Sequence, residues 1–364
     1  MVDLGSTDYM TVLATELSGS GSDFDVVTIK DVPGYATLVQ KNTLESLDDY
    51  IADAGINLAD FNGITDQVTV DGSLYELPFR SDYWLIYYNK DVFDAAGIAY
   101  PSNDMTMEDY DALARQLTDT TYGSQVYGCH YHTWRSAVEL FGILDGKHSI
   151  LDGNYDWMIP YYDMILSEED DGVCQTYTDL STEGLHYSAA FSNGNVAMMN
   201  MGSWFISTLI SNLDSGEYDS SLCGNWGIAS YPHPDGAEAG STIATITGLA
   251  VTSASENKDA AFDFVNWVSG TEGAKVMAST GNFPAIMTDD VINTIAGMAG
   301  FPTDEGSKEA LNITNAYLEI PYAENVSEIN SILDTYHTSI MNREVTVEEG
   351  VASMNEQVGK ILNQ

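Results

Sequence analysis

Residues 77–93, LPFRSDYWLIYYNKDVF, constrain the fold of this chain more than any other segment. The centre of the segment, residues 83–88, is aromatic or β-branched almost throughout, which predicts a buried strand. Arg80, Asp82 and Trp84 stand where that strand begins. Flat rings beside planar charged groups suit a polar ligand that also has apolar faces, as a sugar does. The segment therefore predicts both a core strand and a ligand site.

Strands alternate with helices along the rest of the chain. Residues 24–29 and 226–231 predict strands, and Asp71-Gly72 predicts the turn of a hairpin. A capping box over residues 346–349 predicts the start of a helix with one apolar stripe. This alternation indicates the α/β class. Because no repeat or proline-rich linker interrupts the sequence, we expect any two domains to be joined by ordered segments.

Composition and charge argue against several classes of protein. Of the 364 residues 44% are hydrophobic, which is enough for a substantial core and argues against intrinsic disorder. Lysine and arginine number 12 against 55 acidic residues, and the resulting net charge of −43 repels nucleic acids and anionic lipid headgroups. The sequence has no apolar run long enough to predict a membrane span. The three cysteines permit one disulfide without indicating a pair, and their spacing is not that of a metal site.

Five short motifs follow one another along nearly the whole chain. They are DGSLYELP at residues 71–78; YNKDVF at 88–93, followed by AGI at 96–98 and Pro101; FSNGNVAM at 191–198 with GSW at 202–204; GLAV at 248–251 ahead of SENKDAA at 255–261; and GNFPA at 281–285. Each motif is unspecific by itself, and their order and spacing are specific. Together they resemble the extracellular solute-binding proteins of bacterial ABC sugar importers, the maltose-binding-protein-like family.

The resemblance implies a two-lobed periplasmic-binding-protein-like fold of type II, in which ligand is held in a cleft between two α/β lobes. Crossing segments that serve as hinges are expected near residues 84–87, 247–251 and 317–321. The lobes implied by these crossings are residues 1–84 with 251–316 for the N-terminal lobe, and residues 85–250 with 317–364 for the C-terminal lobe.

The start of the chain departs from the family pattern. Family members usually open with a strand and a long helix before the segment that matches residues 2–5. We therefore expect this chain to lack those elements, together with any secretion signal and lipid-anchoring cysteine. The resemblance alone implies an extracytoplasmic location, either lipid-anchored to the outer face of the membrane or periplasmic.

Candidate ligand residues cluster around the first crossing. Sugar hydroxyls need planar acid, amide or guanidinium partners, and the C–H faces of a sugar ring stack on aromatic rings. We interpret Arg80, Asp82 and Trp84 as ligand residues; the alternative is an ion pair beside a core tryptophan. Trp204 in the GSW motif is interpreted as a stacking ring, with Gly202 leaving room for a ligand, and the alternative for Trp204 is core packing.

Further candidates follow predicted strands and crossings. Lys30, Asp31 and Tyr35 come after the strand at residues 24–29, at the strand end where α/β sheets present ligand groups. The alternative for Asp31 is a helix cap. The remaining candidates, from the second crossing and from the loop before Pro284, are Thr247, Gly248, Asn282 and Phe283.

The segment CHYHTW at residues 129–134 leaves three interpretations open. Alternation along an extended segment would point His130 and His132 to one side. They are interpreted as hydrogen-bond donors to ligand, as structural residues, or as zinc ligands with Cys129. Trp134 is interpreted as a second stacking ring.

These features predict a non-catalytic receptor that captures a mono- or oligosaccharide and delivers it to a membrane permease. We expect a monomer without cofactor, metal ion or nucleic-acid partner. Two alternatives stay open: a binding protein for another small solute, such as a polyol, and a glycoside hydrolase that uses two carboxylates. The sequence contains no nucleophile-elbow, HExxH or phosphate-loop motif that would favour an enzyme.

Overall fold

The computed structural model describes residues 2–5, 9–20, 23–61, 63–119, 125–234 and 236–363. Contacts within the chain divide it into two compact units. Unit 1 comprises Met1–Asp82, Ala244–Ile295 and Ile320–Asn330, and unit 2 comprises Tyr83–Ile243, Ala296–Glu319 and Ser331–Gln364.

The unit boundaries can be compared with the expected lobes. The chain passes from one unit to the other five times, after Asp82, Ile243, Ile295, Glu319 and Asn330, whereas three crossings are expected. Residues 296–316 fall in unit 2 although the expected N-terminal lobe includes them, and residues 320–330 fall in unit 1 although the expected C-terminal lobe includes them. The assignment of the chain to lobes with the expected bounds stays a prediction.

The helices in chain order are α1 (Tyr9–Ser20), α2 (Val32–Gln40), α3 (Asp48–Ala54), α4 (Lys90–Ala96), α5 (Met107–Asp119), α6 (Ser136–Ile143), α7 (Ile159–Asp170), α8 (Tyr177–Glu183), α9 (Tyr187–Ser192), α10 (Trp204–Ser215), α11 (Ser220–Cys223), α12 (Lys258–Ser269), α13 (Thr271–Ala278), α14 (Asp289–Ala296), α15 (Glu305–Glu309), α16 (Val326–Met341) and α17 (Val347–Leu362). Short 3-10 helices cover Leu58–Phe61, Thr65–Val68 and Asp156–Met158. The strands are β1 (Val26–Ile29), β2 (Leu77–Asn89), β3 (Tyr127–His130), β4 (Val196–Gly202), β5 (Trp226–Ser230), β6 (Ser241–Val251) and β7 (Asn315–Leu318).

In unit 1, β1 pairs with the end of β6. The two strands are antiparallel, with Val26 opposite Val251. The strand predicted from residues 24–29 is confirmed. The predicted Asp71-Gly72 turn is confirmed as well, because the two residues have φ angles of 51° and 84° and Val70 pairs with Ser73. Two successive left-handed residues make the turn that Asp-Gly favours between antiparallel strands. The strands expected on either side of the turn, at residues 68–70 and 74–75, are wrong, since Thr65–Val68 is a 3-10 helix and residues 74–76 lie outside any strand.

In unit 2, the pairings give a sheet with the order β5-β2-β4-β3. β2 pairs antiparallel with β5 and with β4, and β3 runs parallel to β4. β2 begins in unit 1, and its course through unit 2 is buried, including Tyr83, Leu85, Ile86, Tyr87 and Tyr88. The predicted buried strand is therefore confirmed. Helix α5 packs on β3, and α7 packs against both α6 and α17.

Helix α17 follows from local sequence signals. The Thr346 hydroxyl accepts a hydrogen bond from the backbone N–H of Glu349 at 3.2 Å, and the Glu349 carboxylate accepts one from the N–H of Thr346 at 3.1 Å. This is the predicted capping box. The predicted stripe is buried at Val351, Met354, Val358 and Ile361. Among the described residues, no helix combines the length and apolar character that a membrane span requires.

Candidate functional site

Three tryptophans predicted as ligand residues come together in unit 2. The ring centroid of Trp84 lies 5.5 Å from that of Trp204 and 6.3 Å from that of Trp134, and both pairs are edge-to-face. The centroids of Trp134 and Trp204 are 6.2 Å apart. Trp84 is 3% exposed and Trp134 is 39% exposed. The group therefore extends from the core to the surface, and with His132 and Tyr187 we call it the aromatic cluster.

Strand register explains why Trp84 and Trp204 meet. Trp84 lies opposite Gly202 across the antiparallel pair of β2 and β4, and Trp204 begins α10 two residues later. A Cβ atom at Gly202 would lie 2.1 Å from Cζ3 of Trp204. The expectation that Gly202 leaves room for a ligand is therefore wrong. The Trp204 ring itself fills that space, because the glycine has no side chain to occupy it.

The outer part of the cluster contains His132 and Tyr187. The His132 ring is edge-to-face with Trp134, at 4.6 Å between centroids, and 5.4 Å from the ring of Tyr187. Trp134 and Tyr187 are 5.7 Å apart. Tyr187 begins α9 after His186, whose side chain caps the helix by accepting from the N–H of Ser188. An exposed tryptophan backed by other rings is a platform on which an apolar ligand face can stack.

His130 and His132 lie side by side, with ring centroids 6.3 Å apart. Burial, with a smaller contribution from His132, lowers the pKa of His130 to about 3. Burial, with a smaller contribution from His186, lowers the pKa of His132 to about 4. Both imidazoles are therefore neutral at neutral pH. Neither ring nitrogen of His130 has a hydrogen-bond partner among the described residues.

The zinc interpretation finds no matching cluster in the described part of the chain. The Cys129 thiol groups with Glu168 and Cys174, which lie within 4.8 Å of it and of each other, and neither His130 nor His132 belongs to that group. The reason is strand alternation, since successive residues of β3 point to opposite faces.

A buried polar network adjoins the cluster. Arg135 forms ion pairs with Glu139 at 2.6 Å and with Asp334 at 3.1 Å. Glu319 accepts a hydrogen bond from the hydroxyl of Ser136, and its carboxyl lies against the Trp84 indole. Burial raises the pKa of both Glu139 and Glu319, and Arg135 opposes that shift in each. These groups are planar and polar, and Glu319 adjoins the ring of Trp84.

In unit 1, Arg80 and Asp82 form an ion pair, which was the alternative to a ligand role for these two residues. Nε of Arg80 lies 2.6 Å from Oδ2 of Asp82. Residues two apart on a strand point to the same face, which brings the two side chains together on β2. The Arg80 side chain is partly exposed and that of Asp82 is nearly buried. The pair is compatible with a ligand role, which stays a prediction.

Three other predicted residues of unit 1 surround Glu76. The Asp31 side chain caps α2 by accepting a hydrogen bond from the N–H of Gly34 at 2.7 Å. This is the helix-cap alternative given for Asp31 in the sequence analysis. The buried Tyr35 hydroxyl accepts from the N–H of Tyr75 at 3.2 Å. A Cβ at Gly248 would lie 2.1 Å from Oε2 of Glu76. Neither carboxyl oxygen of Glu76 has a hydrogen-bond partner among the described residues. Burial, and then the charge of Asp31, raises the pKa of Glu76 to about 8.

The remaining predicted residues do not join one group. Phe283 is buried, and its carbonyl accepts from the N–H of Ser81 at 3.2 Å. The Asn282 side chain donates to the Thr280 hydroxyl at 2.9 Å. Lys30 is exposed and Thr247 is half-buried on β6. Their ligand contacts stay predictions.

Sequence reasoning missed Tyr187, Arg135, Glu76 and Glu319. The two glutamates each interrupt an apolar run, in LYELP and YLEIP, and a carboxyl in such a run indicates a buried acid. Arg135 directly follows Trp134, and arginine beside an aromatic ring is a weaker signal of the same kind. Tyr187 has no local signal that separates it from the other tyrosines of the chain.

Comparison with known proteins identifies the family. The model of bacterial extracellular solute-binding proteins matches residues 1–275 of the chain. The chain belongs to this family.

Solved structures of similar proteins match nearly the whole length of the chain. A crystal structure of a sugar transporter protein from Rhizobium etli, in an open conformation, is 47% identical and superposes with a TM-score of 0.90, covering 98% of this chain and 90% of that one. An ABC substrate-binding protein from Listeria monocytogenes, solved with cycloalternan, is 22% identical with a TM-score of 0.81, covering 99% and 90%. These matches confirm the predicted α/β, periplasmic-binding-protein-like fold.

A curated relative is more distant. The mannitol-binding protein of Pseudomonas aeruginosa is 24% identical over 274 residues, which is 73% of this chain and 61% of that protein. The match therefore spans less than two thirds of the length of that solute-binding protein.

Proposed function

We propose that this chain is the solute-binding receptor of an ABC importer and that its ligand is a carbohydrate. The observation that carries the proposal is the aromatic cluster, in which the exposed Trp134 is backed by Trp84 and Trp204. The C–H faces of a sugar stack on such rings, while its hydroxyls pair with planar polar groups. The 47% identical protein from Rhizobium etli, described as a sugar transporter, supports the same ligand class.

In this proposal each unit offers polar groups for sugar hydroxyls. Unit 2 offers the buried Arg135 and Glu319 network behind the rings. Unit 1 offers the Arg80–Asp82 pair and the group around Glu76. Lys30, Thr247, Asn282 and Phe283 keep their predicted places as cleft residues.

The finer aspects of the role belong to the same proposal. The family is extracellular by description. We propose that this member is either lipid-anchored to the outer face of the membrane or periplasmic. It acts as a monomer, hands its ligand to a membrane permease, and catalyses no reaction. It uses no cofactor or metal ion in doing so.

A polyol is the second ligand class. The curated relative from Pseudomonas aeruginosa is a mannitol-binding protein, and an acyclic polyol presents the same hydroxyls without a closed ring to stack. Aromatic stacking favours the cyclic sugar, because only a ring presents a flat C–H face.

A thermal-shift panel tests the proposal. A ligand that binds only the folded protein raises its melting temperature, so the panel should contain mono- and oligosaccharides, polyols and amino acids. We expect a rise confined to one family of sugars. A rise confined to polyols would move the assignment to the second class, and a rise with amino acids alone would contradict both.

The non-catalytic part of the proposal has its own test. The ligand identified in the panel, if an oligosaccharide, is incubated with the protein and new reducing ends are measured. We expect none above the protein-free background. Steady release of reducing ends in proportion to protein concentration would make the protein a glycoside hydrolase.

A further inference from the structure

Two of the three cysteines of the chain meet in the interior of unit 2. Cys129 is buried on β3, and Cys174 is buried in the turn that follows α7. The backbone N–H of Cys129 donates to the carbonyl of Val173 at 3.4 Å, so the turn runs directly alongside the strand. The two cysteines are free thiols in this structure. With the carboxyl of Glu168 they form a group whose members all lie within 4.8 Å of one another.

We propose that Cys129 and Cys174 form a disulfide bond when the chain folds outside the cytoplasm. A disulfide needs facing side chains on neighbouring backbone segments and a final sulfur separation of about 2.0 Å. The strand and the turn already supply the neighbouring segments, and the two sulfur atoms lie within 4.8 Å of each other. Disulfides form and persist in oxidising extracytoplasmic compartments, and the family is an extracellular one.

The third cysteine lies outside this group. Cys223 ends α11, and its thiol donates to the carbonyl of Asp219 at 3.7 Å. It has no place in the group of Cys129, Glu168 and Cys174. Of the three pairings that three cysteines allow, the structure therefore selects one and leaves Cys223 as a free thiol.

The oxidation balances by thiol–disulfide exchange with the oxidised form of an extracytoplasmic dithiol oxidoreductase. The Cys174 thiolate attacks one sulfur of the oxidant's disulfide, and the other oxidant sulfur leaves as a thiolate. The Cys129 thiolate then attacks Sγ of Cys174, and the second oxidant sulfur leaves. The protein loses two protons and two electrons, and the oxidant becomes a dithiol. Because both cysteines end up buried, the exchange takes place before the turn closes over β3.

A bound metal ion is the competing use of the same group, and the chemistry disfavours it. Structural zinc takes four ligands, and the group contains three. Burial also raises the pKa of Glu168, to about 8, and raises that of Cys129 well above its usual range. A metal would have to displace protons that this environment holds tightly, whereas the disulfide leaves the pocket uncharged.

Counting free thiols tests the disulfide independently of any ligand. The full chain is exported into an oxidising compartment, purified without reductant, denatured and treated with an alkylating reagent before mass spectrometry. We expect one label, on Cys223, and a linked peptide pair that contains Cys129 and Cys174. Reduction before alkylation should give three labels. Three labels without reduction, or a link that includes Cys223, would overturn the proposal.

Matched variants sharpen the result. Cys223→Ser should keep the linked peptides and take up no label. Cys174→Ser should leave Cys129 without its disulfide partner, so that Cys129 and Cys223 are both alkylated. Elemental analysis of the untreated protein tests for a metal site in place of the disulfide. One zinc ion per chain, together with three alkylated cysteines after chelation, would overturn the proposal in favour of a metal site.

Discussion

The indole of Trp204 lies directly against Gly202. A Cβ atom at position 202 would be 2.1 Å from Cζ3 and 2.3 Å from Cη2 of that ring. Both distances are far shorter than an ordinary contact between carbon atoms. The position of the ring therefore depends on the glycine, and a change at either residue alters the same part of the aromatic cluster.

Replacing Gly202 with alanine should displace the Trp204 ring. We expect Gly202→Ala to weaken ligand binding by roughly tenfold or more, and to destabilise the fold by about 1–3 kcal/mol through overpacking. Isothermal titration with the ligand from the panel measures the affinity. Gly359→Ala on α17 is the matched control, because a Cβ there meets no atom within 4 Å. Equal affinities for the two variants would remove the Trp204 ring from the site.

The exposed Trp134 should contribute more to binding than an equally exposed tryptophan elsewhere. Trp134 is 39% exposed within the aromatic cluster, and Trp267 is 54% exposed on α12 of unit 1. Aromatic anchors at the centre of a site typically contribute about 2 kcal/mol or more. We expect Trp134→Ala to lower the affinity accordingly and Trp267→Ala to leave it unchanged. The reverse order, or no difference, would place the ligand away from the cluster.

The buried carboxyl of Glu76 should make the protein less stable as the pH rises from about 5 to about 8. Its folded-state pKa of about 8 exceeds the value of about 4.3 in an unfolded chain. The folded protein therefore holds the proton more tightly, and this stabilisation is complete below the unfolded pKa and is lost as the pH rises toward 8. We expect Glu76→Gln to reduce the fall in the free energy of unfolding between about pH 5 and pH 8 by roughly 3–4 kcal/mol.

Urea unfolding at several pH values measures that slope. Glu139 and Glu168 also have raised pKa values, but they are present in both proteins, so the difference isolates Glu76. Glu256→Gln, at an exposed position of the same unit, is the control and should follow the unmodified protein. Parallel curves for Glu76→Gln and the unmodified protein would mean that the carboxyl is charged or solvated in the fold.

Among the arginines, replacing Arg135 should lower the free energy of unfolding the most. Its guanidinium is 4% exposed and pairs with the buried Glu139 and with Asp334. Removing one partner of a buried pair leaves an uncompensated polar group, which costs about 3–5 kcal/mol. Arg135→Met should therefore lower the free energy of unfolding by that order, and Arg135→Met with Glu139→Gln should recover part of it. The measurement is again denaturant unfolding.

Arg115 provides the comparison. It pairs with Asp111 and Asp171, and all three side chains are partly exposed. Surface pairs of this kind contribute about 0–1 kcal/mol, so Arg115→Met should have little effect. If both arginine variants lose the same stability, the network beside the cluster is solvated and does not hold Trp84 and Glu319 in place.

Much of the site could be predicted from sequence because its residues are marked by type and position. Trp84, Trp134 and Trp204 were each singled out from a short motif, and the structure brings all three together. The acids Glu76 and Glu319 were overlooked although each interrupts an apolar run. Whether such an acid is buried depends on what packs over it, and for Glu76 that is Gly248, a residue remote in sequence.

The amino-acid sequence by itself determined the α/β class, the strands β1 and β2, the Asp71-Gly72 turn and the cap of α17. These features depend on neighbouring residues: β-branched and aromatic content, left-handed turn residues and side chains that bond the first turn of a helix. Only the tertiary structure decided that Trp204 fills the space over Gly202, that Glu76 is buried with no hydrogen-bond partner among the described residues, and that Cys129 lies near Cys174 rather than Cys223. Such contacts join residues far apart in the chain, and strand register and helix packing set them only once the chain has folded.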